Sequence, residues 1–367
     1  MSEVFKQTRL GNVELSNRLV VAPMTRVSAE HEGEPSDLMT DYYARFAEGG
    51  FEVIITEGVY IDRKASQGYQ YQPGLTDDTQ QAGWKRIVDE VHQAGSAIIC
   101  QLTHAGAHMQ YNRFCKYPKG LSDVRPKGKP LSIYGNLEQW TRAEILDDAD
   151  LGQIMNGFVG AAKRAKAAGF DGVELQAGEG YLLNQFLSTY FNQRKDQWGG
   201  NLQGRVRFLK MVVKAVRDAC GPDYLVGVRL SQITATDPDY QWPEGEDGFR
   251  YILEQLREAG VSYIHTHDTA ANRQSLLDSK KSLAQVASEY DEFQVIINGD
   301  VTDANIEELT AQYPNALFSI GRKALVHQDF ARRLKEGLDM EELDPGMLEP
   351  KATIQHELNW RKINAPD

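Results

Sequence analysis

Asn298-Gly299 and Gly321-Arg322 close the last two of a series of short apolar runs, and together they suit a phosphate group. Glycine leaves backbone amides open to approach, a guanidinium supplies charge, and a helix N-terminus following the run adds its dipole. Earlier runs end in Pro23-Met24-Thr25, Glu57-Gly58, Gln101, Gln176 to Tyr181, Arg229 and His265 to Asp268. A glutamine amide both donates and accepts, and a lone carboxylate such as Glu179 ionises near 4.3 unless its surroundings intervene. His104 and His108 stand four apart, and His265 and His267 share one face of a strand. Neither pair has a matched carboxylate or cysteine ligand, so a pocket or core role is expected and no metal. On residue type alone, Thr25 also reads as a helix cap and Gln101 as a satisfied core amide.

The elements that must position these residues repeat. Apolar, β-branched runs lie around 18–23, 52–58, 96–102, 170–176, 225–231, 263–267, 293–299 and 316–322. Apolar on both faces, they read as buried parallel strands. Helical patterns separate them. Leu151, Ile154, Met155, Phe158, Ala162 and Ala165 repeat at helical spacing, with Asp148 or Asp150 as the expected N-cap and Gly169 as the stop. In the next helix Leu209, Val212, Val213, Val216 and Cys220 do the same, which assigns Cys220 to the core.

Eight β-α alternations predict an α/β fold, a (β/α)8 TIM barrel forming a single domain over 1–367. KQTRLGNVELSNR reads as an N-terminal hairpin under the barrel floor. The excess after the third strand, about 103–147, reads as a long lid insertion, and 338–367 as an irregular tail ending in a short helix. A doubly wound nucleotide-binding sheet would place G-x-G-x-x-G after its first strand, and no run here carries it.

The chain has 367 residues and a formal charge of −12, with 40 basic against 52 acidic side chains. That balance argues against a nucleic-acid partner. The N-terminus shows no apolar signal segment, and no run approaches the roughly 18 residues of a membrane span. A cytoplasmic protein acting on a small molecule, as a monomer or a homo-oligomer, is the expectation. Cys100, Cys115 and Cys220 include no C-x-x-C pair, which excludes a zinc ribbon or a cysteine-ligated cluster.

The segments LSNRLVVAPMTR, QLTHAG, GYLLNQFLS followed by NQRKDQWGG, GVRLS and SIGR occur in that order. Taken together, over about residues 3–335, they resemble the Old Yellow Enzyme family of FMN-dependent oxidoreductases. The resemblance implies a barrel with one non-covalent FMN at its mouth and NADH or NADPH as hydride donor. Ala22, Pro23, Met24 and Thr25 would line the flavin, Gly58 would give a backbone contact, and Gln101 would bind the pyrimidine edge. Arg229 would face the N1–C2 carbonyl side, with Gly299, Gly321 and Arg322 on the phosphate. Asn192, Arg194, Asp196 and Gly199-Gly200 would fix a loop by internal hydrogen bonds. The length and the missing C-x-x-C also point away from the longer members with an iron–sulfur domain.

One stretch departs from the family. There the fourth strand ends with His and His, or His and Asn, three apart, and a tyrosine two residues later. This chain has Gln176, Glu179 and Tyr181. The resemblance makes Tyr181 the proton donor to the α-carbon of an activated alkene, with Gln176 as a remaining carbonyl anchor. Glu179 is open: paired with a basic residue away from the pocket, protonated by burial and donating, or a carboxylate that binds a cationic or hydroxylated substrate or serves as a general base. The last option would make the chain a flavin-dependent dehydrogenase, demethylase or isomerase. A non-catalytic flavin- or ligand-binding barrel is the alternative of another class.

Overall fold

The computed structural model describes residues 2–364, so 365–367 of the predicted tail lie outside the described residues. A hairpin of β1 (Thr8–Leu10) and β2 (Val13–Leu15) comes first. Then follow β3 (Leu19–Val21), β4 (Val53–Ile55), the two-residue β5 (Val59–Tyr60) and β6 (Ala97–Thr103). Two lid strands, β7 (Lys119–Gly120) and β8 (Glu144–Ile145), pair with each other. The series ends with β9 (Gly172–Glu179), β10 (Leu225–Thr234), β11 (Tyr263–His267), β12 (Gln294–Asn298) and β13 (Leu317–Ile320).

Parallel pairing runs β3, β4, β6, β9, β10, β11, β12, β13 and returns from β13 to β3, closing a (β/α)8 barrel. The strands read as unbroken apolar runs because both faces are covered. Val20, Val53, Ile55, Ile99, Leu225, Tyr263, Ile296 and Leu317 fill the interior, while Leu19, Val21, Ile54 and Ile98 pack outward on the helices. Leu10 and Leu15 of the hairpin join the interior cluster, so the hairpin closes the floor as expected. Gly227 is small for a reason: a Cβ there would lie 2.0 Å from the Tyr263 ring inside the barrel.

The helix Asp148–Ala168 is capped one residue earlier than expected. The Asp147 side chain accepts from the Asp150 backbone amide, and Asp150 reaches back to Asp147. Asp150 therefore serves at the third helical position, where a reciprocal cap needs a carboxylate. Gly169 ends the helix at φ 97°. Cys220 is buried at the end of the helix Leu202–Cys220.

The tail, beyond Leu338, runs across the barrel mouth to the helix Ile354–Asn364. It is held by Arg26, 1 % exposed, whose guanidinium donates to Glu357 Oε2 at 2.6 Å and to the carbonyls of Ala352 and Thr353. Among the described residues no helix is long and apolar enough to cross a membrane.

Candidate active site

A cleft of about 1030 Å³ opens at the carboxyl ends of the strands, between the lid and the tail. Ala22, Pro23, Met24, Thr25, Gly58, Gln101, Gln176, Glu179, Tyr181, Arg229, Gly321 and Arg322 all line it. Gly299 does not, although its neighbours Asn298 and Asp300 do. Its φ is 144°, and a Cβ there would stand 2.6 Å from the Ala271 amide nitrogen, so its missing side chain serves chain packing.

The centre of the cleft is the turn after β9. Glu179 sits between two glycines at φ 58°, a conformation that costs a side-chain-bearing residue roughly 1–2 kcal/mol. Its amide donates to Ser231 Oγ at 2.8 Å, and the Gly180 amide donates to Asn184 Oδ1 at 3.0 Å. Asn184 in turn donates to the carbonyls of Ala177 and Ser231, so the helix Leu182–Leu187 and β10 together hold the strained turn.

Held this way, the Glu179 carboxylate meets His267 Nε2 at 2.5 Å and the Arg229 guanidinium at 3.7 Å. His267 Nδ1 lies 2.6 Å from Asn298 Oδ1. The orientation of that amide is set independently, because Arg229 donates to Oδ1 and Asn298 Nδ2 donates to the Ser319 carbonyl. Both ring nitrogens of His267 thus face acceptors. Burial opposes charge on Glu179, but His267 and then Arg229 outweigh it and hold its pKa at about 2. Of the states open from sequence, the contacts select an ionised carboxylate that is paired and yet faces the cleft, its side chain 22 % exposed. It is not the protonated donor.

Beneath it, Arg229 donates to His265 Nε2 at 2.8 Å, and His265 Nδ1 meets Glu174 Oε2 at 2.8 Å. Nε2 must then accept, so His265 is neutral with its proton on Nδ1, consistent with burial lowering its pKa to about 4. Gln101 Nε2 donates to Glu174 Oε1 at 2.8 Å. Gln101 is therefore both a cleft residue and a half-satisfied core amide, which joins the two sequence readings. The His265 pair assigns to structure, and among the described residues no group of three His, Cys, Asp or Glu side chains is arranged to hold a metal.

Tyr181 Oη lies 2.8 Å from Tyr69 Oη, and the Tyr69 ring packs 4.8 Å from that of Tyr134. Burial raises both hydroxyl pKa values above the ordinary phenol range, so both stay protonated at neutral pH. Gln176 accepts from the Gly178 amide through Oε1, which leaves its two amide hydrogens for a ligand. Of the other aromatics near strand ends, Tyr71 is exposed and Trp242 is buried.

The loop after β3 is shaped by Glu57, whose Oε2 accepts from the amides of Arg26 at 2.9 Å and Val27 at 3.2 Å. Burial raises the Glu57 pKa to about 7. The folded chain then holds this proton more tightly than the unfolded chain, so stability should fall as pH rises from about 4.3 to 7 and level off above. Glu57→Gln, an isosteric stand-in for the neutral acid, should remove a slope worth on the order of 3 kcal/mol. Urea midpoints at pH 5 and pH 8 measure it, and equal slopes in the two proteins would contradict this role.

Arg322 is 67 % exposed and paired with Asp300, so its guanidinium reaches the rim of the cleft. The loop after β9 behaves as expected: Asn192 Nδ2 donates to the carbonyls of Phe186 and Trp198, and Arg194 pairs with Asp196.

The chain matches the NADH:flavin oxidoreductase / NADH oxidase family over residues 3–341. It is 32% identical over 351 residues to chanoclavine-I aldehyde reductase of Penicillium roqueforti, covering 92% of this chain and 90% of that one. It is 30% identical over 343 residues to NADH oxidase of Thermoanaerobacter brockii, covering 91% of this chain but only 51% of that longer protein. The Old Yellow Enzyme homologue of Zymomonas mobilis superposes with a TM-score of 0.81 at 27% identity, over 92% of this chain and 94% of the other. With a closed (β/α)8 barrel and a cleft at its carboxyl face, the chain belongs to the NADH:flavin oxidoreductase family, as an FMN-dependent oxidoreductase with a nicotinamide hydride donor.

Proposed function

We propose that this chain reduces an activated alkene, anchoring the activating oxygen on Gln176 and protonating the α-carbon from Tyr181. The observation that carries the reading is the protonated Tyr181–Tyr69 hydroxyl pair, set in the same cleft as the free amide hydrogens of Gln176.

The cleft suits FMN. Among the described residues Arg229 Nε is buried without a partner, and an added Cβ at Gly321 would meet only Ala22 Cβ at 3.9 Å, which leaves room over the backbone there. In this reading Ala22, Pro23, Met24, Thr25 and Gly58 would hold the ring system, Gln101 and Arg229 its polar edge, and Gly321, Arg322 and the Gly299 loop the phosphate. Bound there, FMN would supply the hydride chemistry, with NADH or NADPH as the source of the two electrons.

The residues of the chain do the rest. Gln176 donates to the activating oxygen as negative charge develops there. Tyr181 gives its hydroxyl proton to the α-carbon, and the Tyr69 hydroxyl turns its own proton toward the tyrosinate oxygen left behind. Arg229 and His267 balance Glu179, so the carboxylate does not act as a free anion facing the substrate. That pairing speaks against the dehydrogenase, demethylase or isomerase reading, which needs Glu179 available to a cation or as a base.

The strand end supplies one donor where relatives supply two, and simple cyclic enones should therefore be reduced slowly. Glu179→Gln tests the charge balance. Removing one negative charge beside Arg229 and His267 should tighten binding of a phenolate to the oxidised protein by roughly tenfold. The long-wavelength absorbance of the flavin–phenolate complex reads it. Unchanged or weaker binding would contradict the assignment of Glu179 as a cleft-facing counter-ion.

A further inference from the structure

The lid brings two nitrogen-bearing side chains into the cleft that the proposed reaction leaves idle. His108 and Trp140 both line it, and they are 6 % and 5 % exposed. Among the described residues neither ring nitrogen of His108 has a hydrogen-bond partner, and neither does Trp140 Nε1. The two rings pack edge to face with centroids 5.2 Å apart, and Phe191 stands 5.4 Å away on the His108 ring. Gly180 makes the space. A Cβ there would lie 2.4 Å from His108 Cε1, so the histidine rests on the turn that carries Glu179 and leads into Tyr181. The nearby Gly180 carbonyl accepts from Gln185 Nε2 at 2.7 Å.

A buried donor without a partner is costly, and the cost is recovered when a ligand supplies an acceptor. We propose that His108 and Trp140 form a second polar subsite, which takes a neutral oxygen acceptor on the substrate distinct from the oxygen held by Gln176. This rests on the alkene-reduction reading, in which Gln176 holds the first oxygen. The acceptor is neutral on chemical grounds. Trp140 only donates, and burial lowers the His108 pKa to about 4, so at neutral pH the subsite offers N–H groups but no cation to offset a carboxylate's desolvation. A ketone, aldehyde, ester or nitro oxygen fits. The preferred substrates are then alkenes carrying an oxygen-bearing group at each end, not simple enones.

The test uses the FMN-loaded protein and two phenols, 4-hydroxyacetophenone, which has a second oxygen, and 4-ethylphenol, which lacks it. Binding is read from the flavin absorbance at equilibrium, so no turnover is needed. Trp140→Phe keeps the ring and removes only the N–H; His108→Phe removes both ring nitrogens. Each should weaken 4-hydroxyacetophenone by about three- to tenfold, the value of one hydrogen bond, and leave 4-ethylphenol within twofold. Equal losses for both phenols, or no loss for either, would overturn the subsite while leaving the Gln176 reading standing. If neither phenol perturbs the wild-type flavin, the Gln176 reading itself fails and the subsite with it. Should His108→Phe not fold, Trp140→Phe alone decides.

Discussion

Tyr181→Phe should slow oxidation of the reduced protein by 2-cyclohexenone by roughly 10²–10⁴-fold, the range for losing a positioned general acid. Reduction by NADH or NADPH should be unchanged, because the hydroxyl meets only the alkene half of the reaction. The substitution is a clean one. Phenylalanine keeps the ring, and among the described residues the hydroxyl's one hydrogen-bond partner is Tyr69 Oη at 2.8 Å. Burial keeps Tyr181 protonated, so the effect should not vary between pH 6 and 9. Tyr69→Phe removes a group acting through Tyr181 and should cost less, about tenfold, again in the alkene half only. Stopped-flow measurement of the two half-reactions separates these effects. An unchanged alkene half-reaction in Tyr181→Phe would remove that residue as proton donor.

The second large effect lies away from the chemistry. Glu357→Gln leaves Arg26, 1 % exposed, without its carboxylate, and breaking one side of a buried ion pair costs about 3–5 kcal/mol. Two carbonyls and the Tyr42 ring, 4.9 Å from the guanidinium, remain around the stranded charge but do not neutralise it. The urea midpoint should fall with little change in slope. The loss should also reach the cleft, since Leu343, Pro345, Leu348 and Ala352 of the tail line it and Arg26 follows Thr25 directly. FMN should therefore dissociate more readily from the variant. A midpoint within about 1 kcal/mol of wild type would show that the pair does not anchor the tail.

Much of this was legible in the sequence because closed parallel barrels leave a strong pattern. Each strand is apolar on both faces, so Val20 and Val21, or Ile98 and Ile99, announce burial without saying which faces inward. The strand ends then name the cleft residues by position, and this located Gln176, Glu179, Tyr181 and Arg229 together. Contacts between distant loops were not legible. Nothing in the spacing of Glu179, His267 and Asn298 shows that three different strands converge on one ion pair. The same holds for Tyr69 against Tyr181 and for His108 beneath Trp140, where loops of irregular backbone decide the meeting. Asp147 was missed as the cap because three nearby aspartates are interchangeable until the chain direction at the helix start is known. Gly299 has a packing role that its place at a strand end does not announce, since a Cβ there would press on the backbone at Ala271.

The central claim is that Gln176 holds the activating oxygen while Glu179 stays locked on His267. A crystal structure of the FMN-loaded protein with 4-hydroxyacetophenone tests it most directly. The account predicts the phenol oxygen within about 2.6–3.2 Å of Gln176 Nε2, with the Glu179 carboxylate still against His267. A phenol oxygen bonded to Glu179, with the His267 contact broken, would contradict it.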